Sequence, residues 1–580
     1  MSRALITGIA RLDNRDEICR ALGIGPKESE GLADLSLAHR AYERWGESSP
    51  ERLLGDFAFV VLDERTGAAF GARDPLGVMP FYYRVNGGSL AFALSASGVA
   101  ADDGVPLELE EARIADVLIP QLECVDATST FYRGVRRLPP GHRLALRGEQ
   151  LLVSRYWSAA SAPTRRFTSD RECEEAFRAV FAEAVRCRLS GSTASMLSGG
   201  LDSSVIVGFA RRSLREDGRR SLTTLSAVTD DPSCEESLHV RAVLSLTDLD
   251  PVLIRPTDVE GYRRTIDEFV GSMEEPFDDA MVIPLLLYRA ARERGFDAVL
   301  DGVDGDVVAS VEPDVLTTLL RRGAWGRATR EAQGIAAFYK GCYEPWSSPS
   351  RLLMSNAVRA MTPAAVRRAA RSLRHPRAVR QAVAESMIHP EFAVRIGLSD
   401  RLRAQPAIDH AEATDLRIGA ALERYYRVAA SQDIQPRHPF LDRRVVELCR
   451  SLPWSSRLRN GWSKWIVRRS AAGLVPDEVL WRRGRWVRLG PTFLAAVVGG
   501  SGELLRDELS VSSSVLAPYV DLPQARAAYD RYSQGDRSLA ETVWKLAVLS
   551  SWLRKFAASR YDAAAHANGP AALPCLPVAG

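Results

Sequence analysis

Met196-Leu197-Ser198-Gly199-Gly200-Leu201-Asp202-Ser203-Ser204 runs from a short apolar stretch, through two glycines, into a segment of helical period. The run Ala194–Leu197 predicts a strand and Ser203–Leu214 a helix, so the glycines fall at a strand-to-helix turn. Glycine lets successive backbone N–H groups approach an anion, and the N-terminus of the following helix adds partial positive charge. Ser198, Ser203 and Ser204 offer hydroxyl donors, and Asp202 offers an oxygen to magnesium. A serine-rich turn with no ligand is the alternative, but the length of the run and both its flanks favour a phosphate loop.

The alternation continues outward from this loop. Leu222–Val228 is strand-like, Ser237–Leu246 helical, Val252–Ile254 strand-like, Val282–Arg294 helical, and Ala298-Val299-Leu300 a buried strand. Strands alternating with helices predict an α/β fold with a parallel sheet covered on both faces. Residues 311–560 are mainly helical by composition and period. On the other side, Ser169-x-x-Glu172 is a capping box, followed by Phe177, Val180, Phe181, Ala184 and Val185 at helical spacing. Ser158–Thr168, rich in Ser, Ala, Pro and Thr, predicts a linker. Before it, strand-like runs such as Phe57–Leu62 and Leu90–Leu94 alternate with Gly, Pro and Asp turns, as in a sheet-rich domain.

At 580 residues the chain is too long for one core. The expected division is a sheet domain over 1–157, a linker over 158–168, a nucleotide-binding domain over 169–560 and a disordered tail over 561–580. Lysines and arginines number 76 against 73 acids, so net charge nominates neither nucleic acid nor a membrane as partner. From Arg351 to Arg380, however, there are eight arginines and no acid, either a face for an anionic partner or a solvated one. The eight cysteines are scattered, and none forms a CxxC pair; Cys187 and Cys449 read as small buried hydrophobes. With no signal peptide and no long apolar run visible, a cytoplasmic protein is expected.

SGGLDSS resembles the pyrophosphate loop of the ATP pyrophosphatase (adenine nucleotide alpha hydrolase-like) group, and most closely the asparagine synthetase superfamily. Members of that superfamily transfer AMP from ATP to a carboxylate, release pyrophosphate, and let an amine attack the acyl-adenylate. Leu300-Asp301-Gly302-Val303-Asp304-Gly305-Asp306 stands where the superfamily usually has L-S-G-E-G-S-D. The resemblance implies nucleotide binding by Leu197, Ser198, Gly199, Gly200, Asp202, Ser203, Ser204, Val228 and Gly302. It implies Mg²⁺ on Asp202 and Asp306, and a catalytic lysine at Lys464. Arg437-His438-Pro439-Phe440-Leu441-Asp442 is similar to its R-x-P-F-L-D, whose bland reading is a proline turn stapled by an Arg–Asp pair.

The first block is similar to the glutaminase-like (Ntn-type) domain of the same superfamily. Gly55–Phe59, Ala72–Tyr83, Leu138–His142 and Tyr156-Trp157 carry that likeness. Working glutaminases place a nucleophilic Cys after the initiator Met; Ser2 stands here, and Gly8–Glu17 aligns with a stretch well inside the usual domain. The expectation is a truncated domain that releases no ammonia and serves as scaffold.

Val303 stands where the superfamily has Glu or Tyr, and Gln435 where Glu is common. Both changes remove ionisable groups near the acyl-adenylate. A peptide α-amine, with a pKa near ~8, needs positioning more than a strong base. The DGD form of the second motif (Asp304-Gly305-Asp306), the shortened glutaminase-like domain and the long helical stretch between Asp306 and Arg437 most resemble the lasso-peptide macrocyclases. The implied reaction is adenylation of an Asp or Glu side chain of a core peptide, followed by attack of its own N-terminal amine. The implied partners are the precursor peptide, a leader peptidase and a leader-binding protein. One departure is Val307–Glu312, where a His-Gly is expected in that branch. A β-lactam synthetase-like or other small-molecule amide-forming enzyme is the second reading, and a non-catalytic nucleotide-binding scaffold the third.

Overall fold

The computed structural model describes residues 4–101, 108–122, 125–161, 165–189, 191–218, 221–276, 279–311, 314–404, 410–484, 489–499, 505–506, 508–509 and 514–567. The amino-terminal block builds two antiparallel sheets. Strands β1 (Ala4–Leu12), β2 (Gly55–Asp63), β3 (Ala68–Arg73), β4 (Tyr82–Asn86), β5 (Ser89–Ala93), β6 (Arg136–Arg137), β7 (His142–Arg147) and β8 (Gln150–Arg155) order as β1-β2-β3-β7-β8 and β5-β4-β6. Apolar residues alternate across β2: Phe57, Phe59 and Val61 face one core and Ala58 and Val60 another.

The carboxyl-terminal block centres on a parallel sheet. Its strands are β9 (Thr193–Met196), β10 (Leu222–Ala227), β11 (Leu249–Ile254), β12 (Ala298–Leu300) and β13 (Gln435–Arg437), in the order β11-β10-β9-β12-β13. Each predicted element of this region is present, with ends displaced by at most three residues. The chain leaves β9 in one direction and returns to its other side with β12, so the switch in strand order lies between these two neighbours. The crevice beyond their carboxyl ends is where parallel sheets of this kind hold ligands.

Buried charge joins the two blocks. Glu423, on the helix His410–Ala430, accepts hydrogen bonds from the Tyr82 hydroxyl at 2.8 Å and Arg137 Nε at 2.7 Å, and Arg73 lies 2.9 Å away. Arg188 bridges Asp13 at 3.0 Å and Asp442 at 2.7 Å. Asp13, Cys187 and Asp442 lie close enough together to hold a metal, but Arg188 already supplies the cation.

Four expectations need correction. Arg437 does not staple Asp442: its guanidinium turns back to the Arg188 carbonyl and Gln435, while Arg188 and Arg444 neutralise Asp442. The start of the expected linker is packed, with Ser158 and Ala159 buried and Ala159 in one core with Trp157 and Phe177; residues 162–164 lie outside the described residues. The helix Ala540–Ala567 runs into the expected tail, its end being rich in alanine, the best helix former; 568–580 lie outside the described residues. Cys449 is buried as expected, whereas Cys187 is half-buried; both are free thiols. Among the described residues no helix is long and apolar enough to cross a membrane.

Candidate active site

The loop after β9 and the loop after β12 meet at the crevice. Gly199 has φ +69°, and a Cβ there would stand 2.3 Å from the Glu236 carbonyl oxygen, so only glycine closes this turn. The β12 loop approaches just as closely: a Cβ on Gly305 would lie 2.6 Å from Asp202 Cγ, and one on Gly302 2.8 Å from the Ser203 amide nitrogen. Glycine at these positions brings Asp202 and Asp306 to one point.

At that point stands Lys464, whose Nζ lies 2.5 Å from Asp202 Oδ2 and 2.5 Å from Asp306 Oδ1. Asp202 Oδ1 is buried with no hydrogen-bond partner. Burial pushes the Asp202 pKa up, the Lys464 charge opposes this, and Asp306 adds to the rise. Hard carboxylate oxygens, one of them unsatisfied, around a spot that already holds a cation are donors that fit Mg²⁺.

These groups line a cleft of about 470 Å³. Ser198, Gly200, Ser203, Gly302, Val303, Arg468 and Arg482 line it too, and Phe338, Tyr339 and Tyr425 form aromatic walls. Within the loop, the Ser198 amide donates to Ser203 Oγ at 3.1 Å, and the two hydroxyls lie 2.9 Å apart. The Ser204 hydroxyl donates to the Gly200 carbonyl at 2.7 Å, from a fully buried position. Leu197, Gly199, Ser204 and Val228 stand behind the cleft wall; Val228 is buried in the core, its N–H on the Ile254 carbonyl at 2.9 Å.

Two arginines of the site are not signalled by the motifs. Arg468, one helical turn after Lys464, is buried; burial and the neighbouring Arg482 hold its pKa down at about 10. Arg482 donates to the Gly199 carbonyl at 3.2 Å. With Lys464 they place three cations around the loop, a setting for a polyphosphate. The four-residue spacing from Lys464 could have pointed to Arg468; nothing local points to Arg482.

A buried pair lies inside the two downstream motifs, although the motifs single out neither residue. His438 Nδ1 lies 2.7 Å from Asp301 Oδ1, and Asp301 lines the cleft floor beside Val303, whose amide donates to it at 3.1 Å. His438 Nε2 is buried without a hydrogen-bond partner. Burial disfavours the imidazolium, but Asp301 outweighs it and the His438 pKa is raised. Burial pushes the nearby Asp304 carboxyl up to about 6.

A family described as asparagine synthase matches residues 176–554, and one described as a glutamine amidotransferase domain matches residues 14–157. Asparagine synthetase [glutamine-hydrolyzing] 3 of Bacillus subtilis is 22% identical over 495 residues, covering 81% of this chain and 73% of its own. A putative glutamine-hydrolysing asparagine synthetase of Mycobacterium tuberculosis is 24% identical over 568 residues, covering 93% and 82%. Amidase chry2 of Gibberella zeae is 28% identical over 334 residues, covering 52% and 49%.

Proposed function

Because this chain belongs to the asparagine synthase family, a family of ATP-dependent amidation, we propose that it closes a macrolactam within a lasso-type precursor peptide. ATP use rests on one observation above all: Asp202, Asp306 and Lys464 converge at the switch-point crevice, with Arg468 and Arg482 beside them. An Asp or Glu side chain of the peptide attacks the α-phosphorus, and the bond to the β-phosphate breaks. Asp202 and Asp306 would hold Mg²⁺, which when bound neutralises charge growing on the departing pyrophosphate. Lys464, Arg468 and Arg482 hold the polyphosphate and stabilise the same charge. The peptide's N-terminal amine then attacks the acyl-adenylate carbonyl, and AMP leaves.

The choice of a peptide amine is supported by what surrounds the acceptor position. Val303 offers no base on the cleft wall, which suits an amine that is partly neutral at physiological pH and needs holding. The aromatic walls Phe338, Tyr339 and Tyr425 suit a substrate with bulky side chains. In this reading the amino-terminal sheets act as scaffold. Arg73 and Asp74 there are spent on structure, Arg73 on the Gly77, Met79 and Leu138 carbonyls and Asp74 on the amides of Leu76, Val78 and Met79. A leader peptidase and a leader-binding protein would deliver the trimmed peptide.

Incubation with a protease-trimmed precursor peptide, ATP and Mg²⁺ should yield AMP, pyrophosphate and a product lighter by one water, with no glutamate released from added glutamine. AMP formation that responds to a small amino acid and never to a peptide would overturn the cyclase reading.

As the C–N bond forms, the amine must lose a proton. Asp301, held by His438, is the carboxylate beside the place that Val303 leaves without a base. His438→Gln should leave peptide-dependent ATP–pyrophosphate exchange within about twofold and slow amide formation by roughly 10²-fold, most severely at low pH. Equal loss of both activities would reduce His438 to a structural residue.

A further inference from the structure

Arginines on the helices of this chain are often matched on their own helix. Arg171–Glu175, Arg212–Glu216, Arg264–Glu268 and Arg289–Glu293 are all i,i+4 ion pairs at 2.7–2.8 Å, the spacing at which helical neighbours meet. The consecutive helices Pro349–Met361 and Ala364–Ser386 break the pattern. Between Arg351 and Arg380 stand eight arginines, no lysine and no acid. Seven of them are exposed and Arg367 is half-buried. The Arg367 guanidinium caps the Arg359 and Thr362 carbonyls.

Apolar side chains stand among these cations. Met354, Val358 and Met361, spaced by four and three, make one stripe and are 66%, 56% and 71% exposed. Val366 and Leu373, seven apart, are 54% and 82% exposed. The opposite side of the first helix is the packed one: Leu352 meets Leu316, Ala332 and Ala336. The second helix buries no residue, and only its end, at Ala382 and Val383, touches a core. Single exposed apolar residues are ordinary, whereas a run of them at helical spacing on successive helices marks a contact surface.

We propose that this two-helix face docks an acidic, amphipathic segment of a partner polypeptide, with carboxylates against the arginines and apolar residues on the Met354–Val358–Met361 and Val366–Leu373 stripes. Charge complementarity selects an anionic occupant. The guanidinium fork matches a carboxylate, and Arg and Met are enriched at protein–protein contacts while Lys is depleted. A nucleic-acid backbone has no use for five bare apolar side chains. A bilayer-bound helix inserts Trp, Phe or Leu, and of these kinds the face exposes Leu373 alone, residues 349–386 containing no Phe, Tyr or Trp.

The position suits delivery of an acceptor. The helix Pro349–Met361 packs against Trp325–Tyr339, which ends in the cleft-lining Phe338 and Tyr339. Between cleft and arginine face stand Tyr343 and Trp346, edge-on to Tyr339 and both nearly half exposed. The docking face is independent of which acceptor the cleft takes.

The full chain should be titrated into a fluorescein-labelled synthetic helical peptide carrying Leu at i, i+3, i+4 and i+7 and Glu elsewhere. Saturable anisotropy change is expected. Arg359→Glu with Arg371→Glu and Arg374→Glu should weaken it at least tenfold, and so, separately, should Met361→Ser with Leu373→Ser. Because these residues lie away from the cleft, ATP–pyrophosphate exchange should not change in either variant, which also reports an intact fold. Absence of saturable binding would overturn the proposal, as would equal affinity for a peptide of the same composition in scrambled order. Tighter binding to phosphatidylglycerol vesicles or to poly(U) would also overturn it, assigning the face to a membrane or to RNA.

Discussion

Asp202→Asn and Asp306→Asn should each reduce ATP–pyrophosphate exchange by at least about 10³-fold, because each removes one of the two anionic ligands aimed at the departing pyrophosphate. The substitution is nearly isosteric. Lys464 keeps the remaining carboxylate 2.5 Å from its ammonium in either variant, so the buried cation is never left alone. The fold should therefore survive, and the melting profile should stay close to that of the parent protein. The measurement is pyrophosphate exchange in the presence of the carboxylate substrate, with ATP binding followed separately. Turnover retained by either variant would remove the paired-carboxylate assignment. Loss of folding would instead show that the Asp–Lys–Asp cluster is structural.

Glu423→Ala should destabilise the fold strongly. The Glu423 side chain is 1% exposed and holds Arg73 and Arg137, with side chains 0% and 10% exposed, against itself. Removing it leaves the buried Arg73 without its ion-pair partner and Arg137 with only Glu275 at 3.5 Å, at a cost of about 3–5 kcal/mol. Burial opposes the Glu423 charge, but Arg137, Arg73 and Arg427 prevail and hold its pKa down at about 2, against the ordinary 4.5. A depressed carboxylate stabilises fully above its unfolded pKa. Its contribution is then lost as pH falls from about 4.5 through about 2. Asp442, also held low against burial by Arg188 and Arg444, acts in the same sense. Denaturant unfolding between pH 7 and 2 should show a steep loss of stability at the acid end. In Glu423→Gln that loss should be smaller, because part of it has already been taken at neutral pH. An unchanged acid limb would show that the Glu423 cluster does not couple the two blocks.

Much of the nucleotide end is legible in the amino-acid order. The strand-to-helix turn at Ser198–Ser204 is local: an apolar run, two glycines and a helical period are read within a dozen residues. The parallel-sheet alternation from Thr193 to Leu300 is legible for the same reason, and only the ends of its elements differ in the fold. The proximity of Arg437 and Asp442 along the chain misleads, because the β13 backbone turns the Arg437 side chain toward β9 and Arg188.

By itself, then, the amino-acid order determined that this chain makes a phosphate-binding turn at the head of a parallel α/β unit and carries candidate carboxylates at Asp202 and Asp306. Backbone conformation and periodicity are short-range properties, and glycine announces its own role. Only the tertiary structure decided which charges answer one another. Lys464 meets Asp202 across 262 residues, His438 meets Asp301 across 137, and Tyr82 reaches Glu423 across 341. Such pairings depend on strand order and on which groups lose their water together, and neither leaves a pattern in a window of sequence.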